Sequence, residues 1–320
     1  MEKMKMQKYK AAFVCSNPKN IDYVYSPEQQ KKIGELTDLC KEIVTHENID
    51  SLDLSNVDVI FSTWGMLPLT VEEIQKKMPR LKALFYAAGA TDSFAMPFLE
   101  NGVKISSAWK ANGIPVAEFT VAQIILSMKN YFSNSWSNRF TGPGCYGETV
   151  ALIGSGTISK MVQELLKNFH LEVMVIPSLP RDRTISIEEA FRKAYVVSNH
   201  LFNHENNKKC LTKEMFLSMR KGATFINTGR GAQVDMEGFI EAFKERPDLT
   251  ALLDVTDPEE PPRADSPLYT LPNVRMTSHI AGSLNDEVHR MADYAIKDFQ
   301  HFAAGEKIEH EVTREILQHF

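Results

Sequence analysis

The chain is predicted to be an α/β protein built from two doubly wound lobes of parallel sheet, with a ligand cleft between them. Three observations predict this. Short apolar, β-branched runs alternate with helix-periodic segments through both halves, the pattern of a parallel sheet covered on both faces. At 320 residues the chain has room for two well-filled cores. One segment, 149–160, joins an apolar run to a glycine turn and then to a helical pattern. In open α/β sheets ligands collect at such strand ends.

In the first lobe, strands are expected at 11–15, 57–61, 81–87 and 103–106, and helices at 27–40, Val71–Lys77 and 93–101. A longer helix is expected at 115–131, with Pro115 in its first turn. Val116, Phe119, Val121, Ile124, Ile125 and Met128 make that helix apolar on more than one side. It is therefore read as a broadly buried crossover between lobes, or as a contact with another subunit. Further strands follow at 150–153, 172–176, 195–199, Thr224–Asn227 and 250–255, with an extended run at 274–277. Helices are expected between them at 187–194, 213–219 and Met236–Glu245. The amphipathic segment 286–304 returns to the first lobe, giving domains 1–108 plus 285–320 and 109–284.

Bulk composition narrows the function. A net charge of −5, with 43% hydrophobic and 24% charged residues, offers no basic face for nucleic acid. Cys15, Cys40, Cys145 and Cys210 are scattered without a C-x-x-C pair. They read as free thiols of a reducing compartment, and no metal site is expected. The first ten residues are basic but lack the apolar core of a signal peptide. No apolar run is judged to approach the ~20 residues of a membrane span. A cytoplasmic protein is expected.

The glycine turn carries the first chemical hint. Gly154 permits a sharp turn and Gly156 leaves backbone free to approach a phosphate, just where a helix N-terminus offers unpaired N–H groups. Ser159 replaces the third glycine of the G-x-G-x-x-G pattern and is still small. Three charged residues lie downstream, each after a strand-like run: Arg230, the Glu259-Glu260 pair and His279. Singly, the arginine reads equally as a loop residue, while two such glutamates are more often a solvated acidic loop and a single histidine more often a structural residue. Jointly they suit hydride transfer to or from a nicotinamide. An arginine can grip a carboxylate with two parallel hydrogen bonds, a histidine can move a proton, and a neighbouring carboxylate favours the histidine's protonated form.

These segments, in this order and at these separations, resemble the D-isomer-specific 2-hydroxyacid dehydrogenase family over nearly the whole chain. The likeness is strongest through the Gly154 turn, 225–231, 253–259 and 277–283. It implies a Rossmann-like nucleotide-binding lobe and a flavodoxin-like substrate lobe. The implied reaction is NAD(P)-dependent interconversion of a small 2-oxo acid and a D-2-hydroxy acid, by a homodimer. The resemblance makes Arg230 the substrate anchor, His279 the acid/base and Glu259 its partner, preferred to Glu260 because it lies five residues after Asp254. Asp254 would meet the nicotinamide carboxamide. Gly154, Ser155, Gly156, Thr157, Ile158, Ser178, Thr228 and Gly229 would line the cofactor, with Arg230 and His279 at its reactive end. Ala88, Gly89 and Ala90 resemble the family's substrate loop, whose N–H groups hold a carboxylate.

Departures from the pattern also carry meaning. The acidic residue that normally meets the adenosine ribose falls by register at Pro177, followed by Ser178, with Arg181 and Arg183 beyond. This favours NADP(H) over NAD(H). Phe202 stands where the family usually has proline, and Trp64 and Met66 read as core packing or pocket walls. The competing reading is a catalytically silent, dinucleotide-sensing protein on the same scaffold, since fold alone does not fix function. The complete Arg230, Glu259 and His279 set favours the enzyme.

Overall fold

Strands β1 (Lys10–Phe13), β2 (Asp38–Leu39), β3 (Val59–Ser62), β4 (Ala83–Tyr86) and β5 (Lys104–Ser107) form a sheet in the order β5-β4-β3-β1-β2. All these neighbours pair in parallel, and Glu311–Val312 adds an antiparallel strand beyond β5. The structure is a computed structural model that describes residues 8–137 and 140–317. All but the last three residues of the basic stretch 1–10 lie outside the described residues. Contacts divide the chain into one unit of Met1–Asn112 with Leu284–Phe320, and a second of Gly113–Ser283.

In the first unit, helix ends are set by local chemistry. Ser26 caps Pro27–Leu36 through a reciprocal box with Gln29, and Thr70 caps Val71–Lys77 in the same way with Glu73. The helix expected over 27–40 therefore stops early, because Thr37 turns extended and Asp38–Leu39 pairs with β1. Helix Val288–Ala303 covers the sheet with Val288, Met291, Ala292, Ala295, Ile296 and Phe299, all buried. The Phe299 ring lies 5.4 Å from Phe61 and 5.5 Å from Phe85, edge-on to both. Asp298 on that helix is fully buried and accepts from Ser106 Oγ, from Glu309 N at 3.2 Å and from His310 Nδ1 at 3.1 Å. It thus ties β5, the helix and the terminal strand. The helix Pro18–Val24 and the strand Glu311–Val312 were not legible as such, being short and without a clear apolar period.

The second unit contains β6 (Glu148–Ile153), β7 (Leu171–Ile176), β8 (Val196–Asn199), β9 (Thr224–Asn227), β10 (Thr250–Leu253) and β11 (Val274–Met276). They form one fully parallel sheet in the order β11-β10-β9-β8-β6-β7. This is doubly wound, with its switch point between β6 and β8. A 3-2-1-4-5-6 sheet would carry one more strand outside β7. Here the chain between Ile176 and Ile187 makes only a short 3₁₀ turn, Pro180–Asp182, and β7 is the edge.

One expectation needs correction. The long helix runs Trp109–Met128, so Pro115 sits inside it rather than in its first turn. The residues before the proline already wind helically, and the border between units falls at Asn112 and Gly113, just ahead of it. The helix is long and apolar enough to cross a membrane by length and composition alone. Ala111, Ala117, Thr120, Ile124 and Met128 are nevertheless buried within the protein.

Phe299→Ala should destabilise the first unit by about 3–5 kcal/mol, because it deletes a ring shared by the sheet and its covering helix. Urea unfolding followed by circular dichroism checks this. A midpoint unchanged from the parent would contradict the packing described.

Candidate active site

The turn after β6 has the backbone a phosphate needs. Gly154 adopts φ +117, and a Cβ there would stand 2.3 Å from the His200 carbonyl oxygen, so only glycine fits. Gly156 is the N-cap of helix Thr157–Leu166 and supplies no side-chain cap to it. A Cβ at Gly156 would meet nothing within 4 Å. The first-turn N–H groups are thus open to an outside acceptor, which fits a dinucleotide's pyrophosphate. Ser159 is fully buried against the sheet, while Ser155, Thr157 and Ile158 are half-buried around the turn. At the end of β7 no carboxylate occupies positions 177 and 178. Arg183 instead donates to the Pro177 carbonyl at 2.8 Å and the Ser178 carbonyl at 2.7 Å. Arg181 is exposed beside Asp182.

Strands β9, β10 and β11 end level, with Asn227 opposite Leu253 and Leu253 opposite Met276. The loops that leave them carry Arg230, the acidic pair and His279. His279 has φ +57, in the left-handed region that L-residues seldom occupy. Its Nδ1 lies 2.6 Å from Glu260 Oε1. The glutamate beside His279 is therefore Glu260, and this corrects the pairing with Glu259 expected from spacing. Glu259 is exposed, and its carbonyl accepts from Thr256 Oγ1 at 2.8 Å within the loop. Counting from Asp254 misled because the loop folds back on itself there, so linear distance along it does not give the side that meets β11. A cavity of about 400 Å³ lies next to the pair, with Thr256, Glu260, Pro261, Tyr269 and Met276 among its walls.

Asp254, which the resemblance sets against the nicotinamide carboxamide, also lines this cavity. It is 2% exposed, and its carboxylate accepts from Thr277 Oγ1, Ile280 N and Ala281 N. Both oxygens are engaged inside the protein.

Arg230 is exposed, and its Nη1 donates to the Gly229 carbonyl at 3.0 Å. Among the described residues it has no ion-pair partner, so its charge is available to an anion. Gly231 brings this loop against the next one, since a Cβ there would stand 2.1 Å from the Thr256 carbonyl oxygen. Beneath lies a buried amide cluster that sequence reasoning missed. Asn199 Nδ2 donates to Asn227 Oδ1 at 3.0 Å and to Gln233 Oε1 at 2.6 Å, while Asn227 Nδ2 donates to the Arg230 carbonyl at 3.1 Å. Gln233 Nε2 reaches the carbonyls of Leu201 and Phe202, both at 2.9 Å. The available signal was amides at the ends of otherwise apolar strands. Thr228 is buried, with its hydroxyl 3.0 Å from that of Thr120.

In the first unit, Ala88, Gly89 and Ala90 follow β4. Ser107 Oγ donates to the Ala88 and Gly89 carbonyls at 2.9 and 2.6 Å, and Thr63 Oγ1 to that of Ala87 at 2.8 Å. The carbonyl side of the loop is tied down. The N–H groups of Gly89 and Ala90 find no partner among the described residues. Trp64 packs half-buried against the core and Met66 is buried. Among the described residues no group of three His, Cys, Asp or Glu side chains could hold a metal ion.

The second unit is a doubly wound α/β sheet with a glycine turn at the end of β6. Residues 120–281, half of the chain, match the model for the NAD binding domain of D-isomer specific 2-hydroxyacid dehydrogenases. The chain belongs to that family, and this domain is of the nicotinamide-dinucleotide-binding kind. It is 26% identical to the D-3-phosphoglycerate dehydrogenase of Methanocaldococcus jannaschii over 87% of this chain and 55% of that protein. It is 26% identical to the glyoxylate reductase of Thermofilum pendens over 77% of this chain and 79% of that one. The chain thus spans little more than half of the first relative's length. Among solved structures, the D-mandelate dehydrogenase of Rhodotorula graminis shares the fold with a TM-score of 0.79, at 16% identity over 96% of this chain and 98% of that one.

His200, which follows β8, gives the turn a pH dependence. Its Nε2 lies 2.9 Å from Ser198 Oγ, and enclosure of the ring pushes its pKa down to about 4. The unfolded chain, titrating near the ordinary 6.5, binds more protons than the folded one between these values. Stability is therefore complete above about pH 6.5 and declines as pH falls through about 4. Denaturant midpoints at pH 7 and pH 5 should differ in the parent by more than in His200→Gln; equal drops would exclude His200 as the cause.

Proposed function

We propose that this protein is a cytoplasmic, homodimeric oxidoreductase that interconverts a 2-oxo acid and a D-2-hydroxy acid, with His279 as the proton-transferring group. The observation that carries the reading is the His279–Glu260 pair at 2.6 Å, on the edge of the family's NAD binding domain. A bound nicotinamide dinucleotide supplies or accepts the hydride at the substrate's carbonyl carbon. The protein's own groups do the rest. The Gly154 turn and the first-turn N–H groups after Gly156 would seat the pyrophosphate. Arg230 would grip the substrate's carboxylate and polarise its carbonyl. His279 would give the carbonyl oxygen its proton in the reductive direction and remove it in reverse, with Glu260 orienting the ring and favouring the imidazolium. The unpartnered N–H groups of Gly89 and Ala90 suit a carboxylate. Exposed Tyr131, Trp136 and Tyr146, in the stretch after the long helix, support a second copy of the chain as partner.

Loss of reduced-cofactor absorbance with a panel of 2-oxo acids tests the reading. His279→Ala should lower kcat by about 10²–10⁴-fold while cofactor binding persists, and Glu260→Gln should cost more than Glu259→Gln. Silence across the panel with tight cofactor binding would favour a dinucleotide sensor instead.

The cofactor preference we infer is for NADP(H). The strand end at Pro177 and Ser178 lacks the carboxylate that would repel a ribose 2′-phosphate, and Arg181 and Arg183 supply positive charge there. The KM for NADPH should lie below that for NADH; the opposite order overturns this preference.

A further inference from the structure

We propose that Asp254 is a positioning residue, holding His279 in its working orientation through the backbone of the turn that carries it; this rests on the reading of His279 given above. A non-glycine residue at φ +57 persists where its surroundings over-determine it. Asp254 supplies that determination. Its Oδ1 accepts from Thr277 Oγ1 at 2.5 Å and from the Ile280 N–H at 2.8 Å, and its Oδ2 accepts from the Ala281 N–H at 2.9 Å. The donors flank His279, one two residues before it and the others one and two residues after. A brace spanning a residue from both sides fixes its φ and ψ, and so the direction of its Cα–Cβ bond.

The brace is strong because of where it stands. Asp254 directly follows β10, and Leu253 pairs with Met276 at the end of β11, so carboxylate and turn are set one strand spacing apart. The carboxylate is 2% exposed, so water does not compete for its three charge-assisted bonds. His279 itself is exposed, and among the described residues only Glu260 contacts its ring through a hydrogen bond. The residue is thus held at two points: its backbone by Asp254 and its Nδ1 by Glu260. Asp254 also lines the cavity beside Glu260, so the cofactor's affinity is measured alongside kcat. A proton donor displaced by about 1 Å loses on the order of 10²-fold in rate, so loosening the brace should appear in kcat rather than in binding.

Three variants test this, with His279→Ala as the reference. Asp254→Asn keeps the shape but turns an NH₂ toward a backbone N–H. Thr277→Val removes one hydroxyl bond and keeps the volume, so it decides the matter should the Asp254 variant fail to fold. Thr277→Ser restores the hydroxyl. Asp254→Asn and Thr277→Val should lower kcat by about 10–10²-fold, with KM for the 2-oxo acid and Kd for the reduced cofactor little changed, and Thr277→Ser should recover most of the loss. In the protein without substrate, the ¹⁵N imidazole signal of His279 should lose its hydrogen-bonded character in the first two and regain it in the third. Unaltered kcat and unaltered imidazole signal in Asp254→Asn overturn the proposal. So does a Thr277→Ser variant no better than Thr277→Val, or a loss confined to cofactor Kd, which would give Asp254 to the cofactor. Full turnover in His279→Ala overturns the reading of His279 itself, and with it the role assigned to Asp254.

Discussion

Three neighbouring parallel strands stop at one level, and the chemistry of the second unit depends on that register. Asn227, Leu253 and Met276 stand side by side, so the loops that follow them start from a common line. A shift of one residue in any strand would send its side chains to the opposite face of the sheet. Apolar residues covered on both faces set the register: Phe225, Ile226, Ala251, Leu252 and Leu253 are all buried. The core thereby decides where Asp254 and Thr277 begin.

What the core places, glycine and buried polar groups refine. Gly231 admits the Thr256 carbonyl into space a side chain would fill, which brings the loop of Arg230 against the loop of Glu260. Gly154 does the same for the His200 carbonyl at the turn after β6. The Asn199, Asn227 and Gln233 amides then satisfy one another and the loop carbonyls above them. Buried amides left unpaired would be costly, so this cluster keeps the loops at one geometry. Arg230, by contrast, is exposed, and among the described residues its guanidinium donates only to the adjacent Gly229 carbonyl.

Much of this was legible in the sequence, and the part that was not has a physical pattern. Both parallel sheets could be read from alternating apolar runs, because a strand buried on two faces must be apolar throughout. The Gly154 turn was readable because glycines between an apolar run and a helical pattern mark a tight turn. The helix start at Trp109 was misread because a proline usually marks a first turn, and here the helix tolerates it in its interior. The extra outer strand of a Rossmann sheet is missing because the chain between β7 and the next helix is too short to make one.

The choice between Glu259 and Glu260 shows where linear reading stops. Adjacent residues of the same type differ only in which way the loop turns them, and that direction comes from partners distant in sequence. Thr256 reaches forward to the Glu259 carbonyl, while His279 approaches from the next strand. The hydrogen bonds of Asp254 were hidden for the same reason, since its three donors lie 23 to 27 positions away. A carboxylate at a strand end reads as available for a ligand until the neighbouring loop is seen folded onto it. In a parallel sheet the adjacent strand's loop is the nearest source of hydrogen-bond donors, and an acidic residue buried there is satisfied by that loop first.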